Sequence, residues 1–154
     1  MPIKQEKLSH EAYAEIYVHE NSTSASVPTG ATYTKVVLAN YVIGNYKNCT
    51  VSLQNGNVTI SKAGTYLITG TFSSKLGTTD VIWDTTIFVN GAEANNLHMR
   101  RRFSTSGYTF NVCISGLLDL NSGDVLDVRV KHNNASAVSI TNEFTNLNIC
   151  CISN

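Results

Sequence analysis

The chain has 154 residues, 11 of them basic and 11 acidic, and only 14% of its residues are charged. That length suits one domain around a single core, and with 42% hydrophobic residues the composition is not that of a disordered chain. A net charge of zero gives no overall electrostatic footprint for nucleic acid. No apolar run approaches the roughly 18 residues of a membrane-spanning helix.

Residues 1–11 read as a polar N-terminal arm in which Lys4 and Lys7 could clasp a neighbouring molecule, and residues 12–154 read as one domain. Over 12–18, Ala14, Ile16 and Val18 alternate with Tyr13, Glu15 and Tyr17, which predicts a strand with one apolar face. Residues 21–30 form a turn-rich connector in which Pro28 argues against a central strand. Residues 31–43 are strand material, closed by Gly44-Asn45. The runs 49–53 and 57–61 flank Gln54-Asn55-Gly56, a hairpin whose Asn-Gly pair supplies positive φ angles.

The stretch NVTISKAGTYLITGTF (57–72) carries a strong β signal. A short run ends at Lys62-Ala63-Gly64, and a longer run follows. In the longer run Tyr66, Ile68 and Phe72 share one face, and Thr65, Thr69 and Thr71 share the other. The stretch reads as a hairpin, with Gly70 marking a bulge or a close neighbour. Residues 80–91 predict a long strand closed by Asn90-Gly91, and 93–103 return from it. A further long strand over 108–120 ends at Asn121-Ser122-Gly123-Asp124. Residues 124–132 bury Leu126, Val128 and Val130 and turn Asp127, Arg129 and Lys131 to water. Residues 143–152 form the last strand. Eight to ten strands separated by turns predict an all-β sandwich or jelly roll.

The residues that carry chemistry are few. Cys150 and Cys151 are adjacent and point to opposite faces, and no CxxC spacing occurs. Cys49, Cys113, Cys150 and Cys151 therefore read as small buried apolar residues, not as a disulfide frame or a zinc site. The segment Asp119 to Asp124 looks like a calcium loop, but Val130 stands where an EF-hand loop needs Glu, so an Asx-type turn is expected. No nucleophile elbow or phosphate-binding loop is present. No catalytic residue, metal or cofactor is expected, and the chain reads as non-enzymatic. Interaction chemistry falls on Tyr13 and Tyr17, since tyrosine buries area and keeps a usable hydroxyl. It also falls on Arg100, Arg101 and Arg102, since arginine pairs bidentately with carboxylates. In a strand Arg100 and Arg102 share a face and Arg101 lies opposite, so the triplet is not one patch.

Three ordered motifs carry a family resemblance. They are Gly64-x-Tyr66-x-Ile68 after its short β-run, the hairpin Ile87-Phe88-Val89-Asn90-Gly91, and SGLLDLNSGDVLDVRV (115–130) with its Gly123-Asp124 turn. Together they resemble the C1q/TNF-like jelly roll over roughly residues 12–152. The resemblance implies a sandwich of about ten antiparallel strands and a homotrimer with both termini near one end. The segment AEIYVHENSTSASVPTGATYTKV (14–36) is similar to domains found on phage and other viral particles. The expectation is a trimeric capsid decoration or cement protein on the virion, docked on the major capsid protein or another virion protein and made in the host cytoplasm without a signal peptide. A receptor- or glycan-binding fibre tip, with a host-surface glycan as ligand, is one alternative, and a secreted C1q-like ligand is another. Neither nucleic acid nor a membrane is an expected partner.

Overall fold

The computed structural model describes residues 12–30, 32–36 and 40–153. Period-two alternation of apolar and polar side chains governs nearly every element, and strands are what such a pattern can bury. In chain order they are β1 (Tyr13–Val18), β2 (Ser24–Val27), β3 (Thr34–Lys35), β4 (Val42–Lys47), β5 (Cys49–Ser52) and β6 (Asn57–Ile60). Then follow β7 (Gly64–Leu76), β8 (Val81–Val89), β9 (Ala92–Phe103), β10 (Thr109–Leu120), β11 (Val125–His132) and β12 (Val138–Ser153). No helix occurs among the described residues.

Two six-stranded antiparallel sheets face each other. Sheet I runs β10-β7-β12-β1-β4, and β2 continues the line of β1 along β12. Sheet II runs β5-β6-β11-β8-β9, and β3 continues the line of β6 along β11. The inward residues of both sheets make one core, in which Trp83, Tyr66, Ile16, Ile60, Ile68, Leu76, Ile87, Leu97 and Ile149 are fully buried. Trp83 donates its indole N–H to Thr85 Oγ1 at 3.1 Å, so its polar edge is satisfied inside the sandwich. The start of β1 pairs with the end of β12 (Tyr13 with Cys150), which puts these two ends at one pole, here the base. The connections over 77–80, 104–108 and 133–137 lie at the other pole, the tip.

The alternation read from the sequence holds in β1, β7, β10 and the inward face of β11, and Asn90 and Gly91 close the β8–β9 hairpin at φ 51° and 80°. Several expectations are corrected. The stretch 57–72 is not a hairpin, because β6 lies in sheet II and β7 in sheet I, and the chain changes layers over Ser61–Ala63. Of the two readings of Gly70 the close neighbour holds and the bulge does not: β7 runs straight through it, and a Cβ there would stand 2.8 Å from the Phe72 ring. Gly44-Asn45 does not end a strand but sits inside β4, where a Cβ on Gly44 would meet Glu15 Oε2 at 2.3 Å. The connector 21–30 contains β2, a short strand that ends just before Pro28, where the missing N–H costs nothing. In the 53–56 turn Gly56 alone takes a positive φ, 61°.

Candidate interaction surfaces

Each sheet turns an outer face away from the core, and the two faces differ in chemistry. On sheet I the register aligns outward residues in rows across β1, β12, β7 and β10. One row near the base reads Tyr13, Cys150, Leu67, Leu117. Tyr13 is 36%, Leu67 37% and Leu117 49% exposed, so three large apolar side chains stand abreast in solvent. The next rows toward the tip read Glu15, Asn148, Thr69, Ser115 and then Tyr17, Asn146, Thr71, Cys113. Glu15 is the one charged residue in these three rows, and Asn146 Nδ2 donates to it at 3.4 Å. Nearer the tip, Phe144 is 42% exposed and meets the His19 ring edge-on at 5.1 Å between centroids. Glu15, Tyr17, Thr71, Ser73, Phe144 and Asn146 line a shallow depression of about 450 Å³ on this face.

The outer face of sheet II is ionic. Its rows across β9, β8 and β11 read Arg100, Asp84, Lys131, then His98, Thr86, Arg129. Asp84 is buried at 3% exposure and accepts from Arg100 through Nε at 2.7 Å and Nη2 at 3.2 Å. His98 Nε2 lies 2.8 Å from the same carboxylate, and its Nδ1 lies 3.2 Å from Glu93, which also accepts from the Tyr33 hydroxyl at 2.9 Å. Burial alone would raise the Asp84 pKa, but the bonds donated by Arg100 and His98 outweigh it and hold the carboxyl below its usual range. Tyr33 packs edge-on against Phe88 at 5.1 Å, and burial followed by its bond to Glu93 pushes its phenol up. Asp127 is buried by Arg129 at 2.6 Å and Lys35 at 3.2 Å. The expectation that Asp127 faces water is therefore corrected: β3 runs beside β11, and its Lys35, opposite Arg129 in the register, reaches Asp127 from the neighbouring strand.

The residues singled out from the sequence divide as follows. Lys4 and Lys7 lie outside the described residues. Tyr13 and Tyr17 lie on the outer face of sheet I, two rows apart. Arg100 and Arg102 lie on the outer face of sheet II, and Arg102 pairs with Asp80 at 2.7 Å where both side chains are exposed. Arg101 points the other way and donates to the Asn111 carbonyl of β10 at 2.8 Å, lacing the open edge between the sheets. Asp124 accepts from the backbone of Asn121 at 2.7 Å and from Asn90 Nδ2 at 2.8 Å, so the Asp119–Asp124 segment is a closed Asx-type turn. Among the described residues no His/Cys/Asp/Glu group is arranged to hold a metal ion. All four cysteines are free. Cys49 and Cys151 are buried as expected, but Cys113 is exposed and Cys150 half-buried, because their parity places them on the outward side of sheet I.

Leu67 and Leu117, both exposed, and the buried Asp84 are outer-face residues that sequence reasoning passed over. Their signal is visible in hindsight as a break in pattern. Leu67 interrupts the hydroxyl face of β7, Leu117 interrupts the polar face of β10, and Asp84 interrupts the apolar run of β8.

No protein-family model matches the chain, and no curated protein matches it. Solved structures do. The globular domain of zebrafish complement 1qA superposes with a TM-score of 0.63 at 15% identity, over 94% of this chain and 100% of that one. The Eiger TNF of S. frugiperda superposes with a TM-score of 0.55 at 14% identity, over 93% and 94%. The fold is the C1q/TNF-like jelly-roll sandwich.

Proposed function

We propose that the protein is a non-enzymatic structural protein of a virus particle, a homotrimer that decorates the shell and stabilises it. The observation that carries this reading is the contrast between the two outer faces. The row Tyr13, Cys150, Leu67, Leu117 crosses four strands with one charge in the two rows above it, a surface suited to burial against copies of itself. Closed symmetry is the usual way identical subunits cover such a surface, and three copies of a sandwich can bring their sheet I faces about one axis. Sheet II would then point outward with its ionic rows available to a different molecule. A protein that self-associates through one face and presents charge on the other can bridge neighbouring shell subunits and add buried area where the shell is stressed.

The test is to mix the purified protein with shells that lack it. Co-sedimentation and a rise in the shell's disruption temperature are expected. Absence of binding at micromolar concentration would remove the decoration reading. A second reading, a receptor- or glycan-binding fibre tip, is supported by Tyr108, which is 73% exposed at the tip pole. Binding on a glycan array that is lost in Tyr108→Ala, together with no affinity for shells, would favour it.

A further inference from the structure

The outward half of sheet II nearest the tip contains a second depression, of about 440 Å³, lined by Gly30, Ile82, Asp84, Arg100, Lys131 and Asn133, with His132 at its floor. Its hydrogen-bonding inventory is one-sided. The Asp84 carboxylate is taken by Arg100 and His98. Asn133 Oδ1 accepts the Ile82 N–H at 2.7 Å, and His132 Nδ1 accepts the Asn134 N–H at 3.2 Å while its Nε2 faces the Val27 carbonyl at 3.2 Å. Three of the lining side chains keep donors. Arg100 spends Nε and Nη2 on Asp84, and its other amino group bonds no described residue. The Asn133 side-chain NH2 is likewise unspent among the described residues. Lys131 lies directly across from Asp84 in the register, yet its ammonium sits 4.1 Å from the centre of the Tyr33 ring and pairs with no described carboxylate. A cation held by a ring face keeps its charge unneutralised and ready for an anion.

We propose that this depression receives a carboxylate from an acidic surface segment of the protein on which the trimer docks. The inference rests on the decoration reading for the identity of the partner, but not for the chemistry of the site. A carboxylate seated there accepts from Arg100 Nη1, Lys131 Nζ and Asn133 Nδ2, donors on three side chains that line the one depression from β9, β11 and the segment just after β11. Charged donors around a partly desolvated carboxylate are the arrangement that gives specificity and orientation at a protein contact. Arg100 itself is already fixed by Asp84, so its fork is held in place before the partner arrives.

The probe is the tripeptide Glu-Glu-Glu, titrated into isotopically labelled full-length protein and followed by NMR. The expected result is saturable shifts of the Asn133 side-chain amide, the Arg100 guanidinium and Lys131, weakened by added salt. The variants are Lys131→Gln with Asn133→Asp, chosen because aspartate keeps the acceptor that Ile82 needs and because Arg100, which secures buried Asp84, is left intact. The pair should weaken peptide binding about tenfold or more, the loss of roughly 1.4 kcal/mol. Shifts scattered over the surface, equal affinity in the double variant, or equal displacement of the peptide by inorganic phosphate would overturn the carboxylate site. On shells, a double variant that binds as tightly as the parent sinks the docking proposal and leaves the decoration reading standing. Peptide binding at this site with no shell binding by the parent protein has the opposite meaning.

Discussion

Tyr66 offers the sharpest test of how the two sheets are joined. Its ring is fully buried, and its hydroxyl donates to the Lys62 carbonyl at 2.7 Å, inside the segment where the chain leaves sheet II for sheet I. Two substitutions separate the two roles. Tyr66→Phe keeps the ring and removes one hydrogen bond, which should cost about 1 kcal/mol. Tyr66→Ala removes the ring and leaves a void between the layers, and truncations of that kind cost about 3–5 kcal/mol. In a domain of this size 1 kcal/mol moves the melting midpoint by about 2–4 °C, so the alanine variant should melt some ~6–20 °C lower. Urea unfolding at one fixed protomer concentration is the assay, because any self-association makes stability depend on concentration. The denaturant slope should stay the same while the midpoint falls. A Tyr66→Ala protein that loses less than about 1 kcal/mol would refute the assignment of this ring as the pin between the layers.

Further outcomes follow from other contacts. Gly64→Ala places a Cβ 2.4 Å from the backbone oxygen of Ser153, which cannot swing away, so thermal unfolding should show a clearly larger loss than for Gly44→Ala, where the flexible Glu15 side chain can move. Burial, and secondarily the neighbouring Cys151, pushes the Cys49 thiol up to about 11, so in a folded single chain with its sheet I face uncovered, as Leu117→Glu should give, a thiol reagent at pH 8 should modify Cys113 and reach Cys49 only on unfolding, as read by peptide mass mapping. Asp84 has a lowered pKa, so its bonds to Arg100 and His98 contribute stability at pH values above the ordinary carboxylate range, and that contribution is lost as pH falls through the depressed value. Asp84→Asn should therefore be less stable than the parent near neutrality, with the gap closing in strong acid; a gap independent of pH would contradict the ion-pair role.

The parts of the fold that were legible in the sequence are those fixed by local alternation and turn chemistry. The faces of β7 and β10 and the Asn90-Gly91 turn belong to this group. What alternation cannot report is which sheet a strand joins, and so 57–72 looked like a hairpin although its two runs pair with different partners. Burial of Asp127 was hidden for a related reason: Lys35, which covers it, lies 92 positions earlier in the chain (127 − 35). Gly44 looked like a terminator because glycine usually punctuates strands, whereas here it makes room for the side chain of Glu15. The arginine triplet was correctly split between two faces, but the ties of Arg100 to Asp84 and of Arg102 to Asp80 depend on cross-strand register. Tyr13 and Tyr17 were visible as an outward tyrosine face. The apolar row that Tyr13 shares with Leu67 and Leu117 required the register of four strands.

The central claim is that the outer face of sheet I is a self-association surface. Sedimentation equilibrium of the parent chain and of Leu117→Glu tests it directly, since Leu117 is half exposed and a charge there should leave the single chain folded. The account predicts roughly 50 kDa for the parent, three times the 16.8 kDa chain, and a single-chain mass for the variant with an unchanged far-ultraviolet spectrum. A parent protein that sediments as a single chain at micromolar concentration, or a Leu117→Glu variant that stays at the parent mass, would contradict it.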